Sequence, residues 1–275
     1  MGVIAALLTC HNRKAKTIAC LERLFRQALP AAAVLKVYLV DDGCTDGTAG
    51  AVRERYPSVS IISADGSLFW CRGTRVAWER AARSDPEYYL WLNDDTVLRQ
   101  GALATLLETA EKAQQPACVV AGSCCDPATG AHTYGGQRLL GRHPAKLSLI
   151  EPDPVAVKAC DTFNGNCVLV TRAAYRILGI IRVFQHAIGD TDYGLRARRR
   201  GVPALLAPGF VAECATEGPG LSWRSPELPR AQRFRILTGR KGLPPGDWWR
   251  FLWTHAGMRA LVYWPAPYVR VLTGR

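Results

Sequence analysis

The sequence lacks the motifs that would identify a zinc-knuckle, dithiol or membrane-spanning protein. Its ten cysteines include no Cys-x-x-Cys pair, so the sequence contains neither a zinc-knuckle motif nor a dithiol redox motif. No uncharged apolar run reaches the ~18 residues needed to span a bilayer. We therefore expect reduced, mostly buried thiols in a chain that does not cross a membrane.

No secretion signal is expected from the first residues. The apolar run at residues 3–8 is too short for the hydrophobic region of a signal peptide, and His11, Asn12 and Arg13 follow it almost at once. We therefore expect a cytoplasmic protein. Peripheral attachment to the inner face of the membrane stays open.

Two phosphate-binding loops are missing as well. No G-x-G-x-x-G follows the first apolar run, which argues against a dinucleotide-dependent dehydrogenase, and no G-x-x-x-x-G-K-[ST] loop occurs. With 275 residues, the chain has room for one large domain or for a domain with an appendage.

Positive charge and tryptophan are concentrated towards the C-terminus. The formal net charge is +12, and residues 221–275 hold ten lysines and arginines against two acids. Such a balance favours an anionic partner. The same region contains Trp223, Trp248, Trp249, Trp253 and Trp264. Helices of this composition can lie on an anionic membrane surface. Packing against the rest of the chain is the alternative, and both stay open.

Short apolar runs alternate with amphipathic segments in the first ~120 residues. The runs predict strands at 3–8, 37–40, 59–62, 88–92 and 118–121, and the segments between them predict helices at about 18–29, 46–55, 76–83 and 102–113. This alternation indicates an α/β fold with a mostly parallel, Rossmann-like sheet flanked by helices.

Acidic pairs stand where two of these strands end. Asp41 and Asp42 follow the second strand, and Asp94 and Asp95 follow the fourth. Ligands of parallel sheets bind beyond the carboxyl ends of the strands. A strand end in solvent explains one acidic pair, but two pairs at one edge favour a bound cation or ligand.

Six segments of the chain are similar to the family-2 glycosyltransferases of the GT-A fold. They occur in the family's order over about residues 1–205, and the tail beyond ~210 resembles that of bacterial rhamnosyltransferase-like and surface-polysaccharide members. The segments are TCHNRK (9–14), VDDGCTDGT (40–48), GSLFW (66–70), LWLNDDT (90–96), FNGNCVLVTR (163–172) and GDTDYGLRARRRG (189–201), and the tail contributes SWR (222–224) and KGLPPGDWW (241–249).

The resemblance implies which residues would bind the nucleotide-sugar donor and its cation. Asp95 would hold Mg²⁺ or Mn²⁺, and Asp94 would face the ribose or the metal's outer ligands. Asp42 would read the nucleobase, with Thr9 lining the same pocket; a turn role is the alternative for Asp42. Arg13 would contact a phosphate or form a surface ion pair. The cation would stabilise the negative charge of the diphosphate leaving group.

The resemblance also assigns the catalytic base. Inverting transfer needs a group that takes the acceptor's hydroxyl proton. The family places this base in a Glu/Asp-Asp motif ahead of an Asp-x-x-x-Arg helix. Here the motif reads Gly189-Asp190, so Asp190 is the candidate. Asp192 stays open as an alternative base or as a helix-start charge.

Three further residues are candidates for sugar contact. Trp70, expected in a loop before a helix, would offer its ring to the donor sugar, although aromatic residues are more often core. Asn164 and Asn166 would bond sugar hydroxyls, and a turn around Gly165 is the competing interpretation.

The implied function is an inverting, metal-dependent glycosyltransferase that transfers a sugar from a nucleotide-diphosphate donor to a glycan or lipid-linked acceptor. We expect a catalytic domain at 1–210, divided near 125 into nucleotide and acceptor halves, and a basic, Trp-rich helical extension at 211–275. A sugar-phosphate nucleotidyltransferase and a non-catalytic basic protein are the alternatives. We expect no nucleic-acid partner, because the acidic pairs would repel phosphates.

Overall fold

The chain alternates strands and helices as far as α4 and then adds a strand-rich region and four C-terminal helices. The computed structural model describes residues 2–185, 188–216 and 222–274. The strands are β1 Val3–Cys10, β2 Val34–Asp42, β3 Ser60–Ala64, β4 Tyr88–Leu92, β5 Val97–Leu98, β6 Val119–Cys125, β7 His132–Tyr134, β8 Gly136–Leu139, β9 Leu147–Leu149, β10 Lys158–Cys160, β11 Thr162–Phe163, β12 Cys167–Thr171 and β13 Ala204–Glu213. The helices are α1 Lys14–Phe25, α2 Thr48–Arg55, α3 Phe69–Ala82, α4 Ala102–Glu111, α5 Arg172–Leu178, α6 Gly189–Arg199, α7 Arg230–Thr238, α8 Pro245–Ala256, α9 Ala260–Tyr263 and α10 Ala266–Thr273, with a 3₁₀ turn at Gly257–Arg259.

One large sheet organises the molecule. Its order is β10-β13-β6-β12-β4-β1-β2-β3, and β3, β2, β1 and β4 run parallel to one another. β6 and β13 are also parallel, whereas β10 and β12 are antiparallel to their neighbours. A second sheet of three strands has the order β11-β8-β9. The predicted α/β class with a mostly parallel sheet is confirmed.

The strand predicted at 118–121 does not directly extend the parallel set. It becomes β6, and β12 lies between it and β4, antiparallel to both. All five residues of β12 are buried, so its apolar side chains suit the middle of a sheet. Strand order depends on this long-range pairing, which local periodicity does not report.

Two hydrophobic clusters cover the two faces of the sheet. Along β1, Ala5 and Leu7 face one cluster, while Ile4, Ala6 and Leu8 face the other. This follows from the alternation of side chains along a strand. The Ala5 side contains the large aromatic residues Trp78, Tyr89, Trp91 and Tyr193, and it continues into the C-terminal helices through Leu237, Trp248, Phe251 and Leu252.

The predicted helical C-terminal extension is therefore present as α7–α10, and it packs on the main core. The division of the chain at residue 210 stays a prediction. None of the helices within the described ranges is long and apolar enough to cross a bilayer.

Two predicted helix boundaries were wrong. Helix α3 begins at Phe69 rather than near 76, so Phe69 and Trp70 belong to its first turn and not to a preceding loop. The carboxylate of Asp42 accepts hydrogen bonds from this turn and caps it from a distant part of the chain. Helix α1 ends at Phe25, and Leu29 lies beyond it, 36% exposed.

Candidate active site

All nine predicted site residues line one cleft at the carboxyl ends of β1, β2 and β4. The cleft has a volume of about 780 Å³ and is closed on the opposite side by the turn before β12 and the start of α6. The nine residues are Thr9, Arg13, Asp42, Trp70, Asp94, Asp95, Asn164, Asn166 and Asp190. Placement at this sheet edge follows from the parallel order of the strands.

The acidic pair after β4 is held close to a single guanidinium group. Arg13 Nη1 lies 2.8 Å from Asp95 Oδ2 and 3.5 Å from Asp94 Oδ1. Thr17 Oγ1 lies 3.1 Å from Asp94 Oδ2. Burial raises the pKa of Asp94 to about 6, although Arg13 opposes this rise and Asp95 adds to it. The pair therefore remains short of positive charge, which a bound cation would supply.

The oxygen atoms at this point fit a hard divalent cation. Besides the two carboxylates, the buried Oδ1 of Asn93 and Oγ1 of Thr9 have no hydrogen-bond partner among the described residues. Mg²⁺ and Mn²⁺ take oxygen ligands and need only one or two protein carboxylates when water and phosphate complete the shell. Asp95 and Asp94 are thus suited to hold such an ion.

The two aspartates after β2 have separate tasks. Asp41 Oδ1 accepts the backbone N–H of Cys44 at 2.9 Å and forms the turn. Asp42 faces the cleft, where Oδ1 accepts N–H groups from Gly66 and Leu68, and Oδ2 accepts that of Phe69 at 2.8 Å. A carboxylate offers about four acceptor positions, so Asp42 retains one for a ligand.

Asp190 lies at the first turn of α6, on the opposite side of the cleft from β1 and β2. Its Oδ2 accepts the N–H of Gly165 at 2.9 Å, and its Oδ1 accepts the N–H of Thr191 at 2.7 Å. Burial raises the pKa of Asp190 above its ordinary value, although these backbone donors oppose the rise. A carboxylate fixed in orientation and raised in pKa suits a general base.

Trp70 forms part of the cleft wall between α3 and the turn at 164–166. A Cβ atom at Gly165 would lie 2.3 Å from the Trp70 ring, so the ring packs directly on the glycine backbone. Asn164 Oδ1 accepts the N–H of Gly135, and Asn166 Nδ2 donates to Cys214 Sγ at 3.5 Å. Both asparagines therefore connect the turn to other parts of the chain and also line the cleft.

Comparison with known proteins gives the family. The model of glycosyl transferase family 2 matches residues 6–155, which is more than half of the chain. The chain belongs to glycosyl transferase family 2. It is accordingly a glycosyltransferase that uses a nucleotide-sugar donor, which favours this class over the two alternatives that the sequence left open.

A solved structure agrees with the fold. The mannosyltransferase PcManGT from Pyrobaculum calidifontis, in complex with GDP-Man and Mn²⁺, is 18% identical to the chain and superposes with a TM-score of 0.56. The alignment covers 98% of this chain and 73% of that one. At this identity the likeness shows the fold alone, and it confirms the predicted GT-A architecture. No curated protein matches the sequence.

Gly189 occupies the first position of the Glu/Asp-Asp motif, where the resemblance leads us to expect an acid. A Cβ atom at Gly189 would lie 2.6 Å from Cys71 Sγ and 3.2 Å from the end of Ile181. A side chain at 189 therefore fits only if the Cys71 side chain or one of the two helices shifts. Glycine suits this close approach of α3 and α6.

Asp192 lies outside the cleft of this family-2 enzyme. It is fully buried and accepts hydrogen bonds from Arg196 Nε and from His255 Nε2, both at 2.9 Å. Burial alone would raise the pKa of Asp192, but the hydrogen bond from His255 and the charge of Arg196 hold it below its ordinary value. Asp192 therefore joins α6 to α8, and the structure gives it no access to a ligand in the cleft.

Several cleft residues were not among the sequence candidates. His11 places its Nδ1 2.5 Å from the carbonyl oxygen of Asp42 and lines the cleft. Tyr134 and Cys214 come from β7 and from the end of β13, and no sequence signal marks them. Lys241 also lines the cleft, and its basic neighbour Arg240 lies 5.1 Å above the Phe69 ring. The excess of basic residues in the tail was the signal for Lys241.

Proposed function

We propose that the chain is an inverting, divalent-cation-dependent glycosyltransferase of hexosyltransferase type that acts on a glycan or lipid-linked acceptor. The observation that carries this proposal is the shared cleft, which brings Asp94 and Asp95 from one strand end together with Asp190 from a facing helix. Asp94 and Asp95 would hold the cation that binds the donor's diphosphate, and Asp190 would act on the acceptor hydroxyl.

The donor end uses the carboxylates after β4. Asp95 and Asp94 would hold Mg²⁺ or Mn²⁺, and such an ion would stabilise the negative charge of the diphosphate leaving group. Arg13 contributes a second positive charge from β1's end, within 2.8 Å of Asp95. Thr9 and the one remaining acceptor position of Asp42 suit the nucleoside, since a carboxylate can accept the imide N–H of a pyrimidine.

The acceptor end uses Asp190. Its carboxylate takes the proton of the attacking hydroxyl as the oxygen approaches the anomeric carbon, and the leaving diphosphate departs on the other face of the sugar. The hydrogen bonds from Gly165 and Thr191 fix the orientation of the carboxylate. Trp70, Asn164 and Asn166 lie beside it in the cleft wall and suit the faces and hydroxyls of a sugar.

Two nucleotide sugars are candidate donors. The structure of PcManGT is a complex with GDP-Man and Mn²⁺, which makes GDP-mannose a donor to test. The tail's likeness to rhamnosyltransferase-like enzymes makes dTDP-rhamnose another. A role in bacterial surface-polysaccharide synthesis would suit either donor, with the enzyme in the cytoplasm on the inner face of the membrane.

A panel of nucleotides tests this function. Thermal stabilisation is measured with UDP, GDP and dTDP, each with and without Mn²⁺, and with duplex DNA. Donor hydrolysis is then measured with the corresponding nucleotide sugars. We expect one nucleotide to raise Tm only when the cation is present. Equal stabilisation with and without Mn²⁺ would contradict the cation's role, and stabilisation by DNA alone would contradict the function itself.

A further inference from the structure

Three side chains beside the cleft bring two sulfur atoms and a carboxylate together. Cys10 ends β1, and the sheet register pairs it directly with Asp41 on β2. The turn formed by Asp41 returns the chain so that Cys44 Sγ lies 3.7 Å from Cys10 Sγ. One ligand atom from each of the three residues lies within 4.8 Å of the others.

The spacing of the two sulfur atoms matches a tetrahedral metal site. Two thiolates bound to one Zn²⁺ at about 2.3 Å, at a tetrahedral angle, lie roughly 3.8 Å apart. The observed Sγ–Sγ distance of 3.7 Å is close to this value. Cys10 and Asp41 are buried, and Cys44 is half-exposed, which gives an ion a route from solvent.

The surroundings also support the sulfur atoms. The backbone N–H of Asn12 donates to Cys44 Sγ at 3.2 Å, and hydrogen bonds from outer groups orient metal ligands in this way. A disulfide would use only the two sulfur atoms, whereas a cation can also be bound by a carboxylate oxygen of Asp41, which lies within 4.8 Å of both.

We propose that Cys10, Asp41 and Cys44 bind a thiophilic divalent cation of the Zn²⁺ type, separate from the oxygen-lined site at Asp94 and Asp95. Soft sulfur ligands select zinc-like ions, whereas carboxylates alone suit Mg²⁺ and Mn²⁺. Each bound thiol releases its proton to solvent, and water completes the tetrahedron. Occupation would fix the turn at 41–44 and with it the position of Asp42.

A titration with Cd²⁺ under reducing conditions tests the site. Thiolate binding gives a ligand-to-metal charge-transfer band in the ultraviolet, and Zn²⁺ competes for the same ligands. We expect a saturable band at one equivalent of Cd²⁺, a loss of at least half of it in Cys44→Ser, and at least tenfold weaker binding in Asp41→Asn. Cys160→Ser, which removes a thiol elsewhere, should behave as wild type.

A second measurement needs no variant. Cys44 is the half-exposed member of the group, so Zn²⁺ should protect it from alkylation at least tenfold, as measured by mass spectrometry of the Cys44 peptide after digestion of the alkylated full chain. An unchanged band in Cys44→Ser, or equal alkylation of Cys44 with and without Zn²⁺, would overturn the site. Neither readout depends on nucleotide binding, so the proposal can fail while the glycosyltransferase function stands.

Discussion

Asp95 is the residue whose charge we expect to be needed most directly for donor binding. Its carboxylate is 14% exposed and lies 2.8 Å from Arg13. Asn has nearly the same size but carries no charge, so Asp95→Asn should weaken Mn²⁺-dependent nucleotide binding at least tenfold and leave the fold intact. Calorimetry with and without Mn²⁺ measures this effect.

A matched control for Asp95 is available on the surface. Asp126 accepts hydrogen bonds in an exposed turn away from the cleft, so Asp126→Asn should bind nucleotide as wild type does. Unchanged affinity and unchanged metal dependence in Asp95→Asn would remove this residue from the proposed cation site.

Gly189 illustrates how close packing excludes a functional group. A Cβ atom there would meet Cys71 Sγ at 2.6 Å, so Gly189→Ala should lower the free energy of unfolding by ~1–3 kcal/mol through overpacking. Cys71→Ala in the same chain should restore part of this loss, because the two sites are in contact. Urea denaturation of both single variants and the double variant measures the coupling.

Gly50 provides the control for this experiment. A Cβ atom at Gly50 meets nothing within 4 Å, and the residue lies inside helix α2. Gly50→Ala should therefore stabilise the protein by ~0.4–1 kcal/mol. A neutral effect of Gly189→Ala, or no coupling to Cys71, would show that the two helices have more room than the structure gives them.

Helix α8 is joined to helix α6 through a buried polar contact. His255 Nε2 lies 2.9 Å from Asp192 Oδ1, and both side chains are almost completely buried. His255→Ala removes one donor from a buried carboxylate, which should cost ~1–3 kcal/mol of stability. Gln at 255 carries a side-chain N–H that can reach the same oxygen, so His255→Gln should recover part of the loss.

Thermal and urea unfolding of both His255 variants decide whether the contact has this role. If His255→Ala were as stable as wild type, α8 would be held by its apolar face alone, through residues such as Trp248 and Phe251. Donor affinity should stay unchanged in either variant, because the proposed nucleotide site lies at the ends of β1, β2 and β4.

Local sequence patterns predicted the central strands. The features that they did not predict, such as the start of α3 and the burial of Asp192, depend on long-range contacts. Strand β4 matches its predicted range of 88–92, and the acidic pair follows it as expected. The early start of α3 depends on Asp42, which is 27 residues away from Phe69 in the chain. The isolation of Asp192 likewise depends on His255, 63 residues away. Periodicity within one element contains no information on either contact.

The C-terminal helices present an apolar surface in addition to their buried face. Tyr268 and Val271 are buried, whereas exposed apolar side chains on the same segment include Met258 (69% exposed), Leu261, Val262 (70%), Val269 and Leu272. Arg259 and Arg270 are exposed among them. This combination suits contact with an anionic lipid surface. The apolar side chains would enter the headgroup region, and the arginines would pair with lipid phosphates.

Vesicle flotation tests this membrane contact on the whole chain. We expect binding to anionic vesicles that weakens with salt, and loss of most of that binding when Met258, Val262 and Leu272 are all replaced by Gln. A control triple variant changes the exposed residues Val34, Val155 and Ile177, which lie elsewhere on the surface. Equal flotation of both triple variants, or no flotation of the wild type, would contradict the contact.

The pH dependence of transfer should report the base. The pKa of Asp190 is raised by burial, and a general base acts only when it is ionised. The rate should therefore fall as the pH decreases through this raised pKa. The acid limb of the profile should lie above the value of about 3.9 that is ordinary for aspartate. This limb should be absent from the residual activity of Asp190→Asn.

The most direct test of the whole account measures transfer and donor affinity side by side in Asp190→Asn and Asp192→Asn. Asparagine at 190 keeps the size of the side chain but cannot take a proton, so transfer should fall by ~10²–10⁴ while donor affinity stays unchanged. Asp192→Asn should mainly lower stability, since its partners Arg196 and His255 are buried. Full transfer activity in Asp190→Asn, with loss only in Asp192→Asn, would contradict the account.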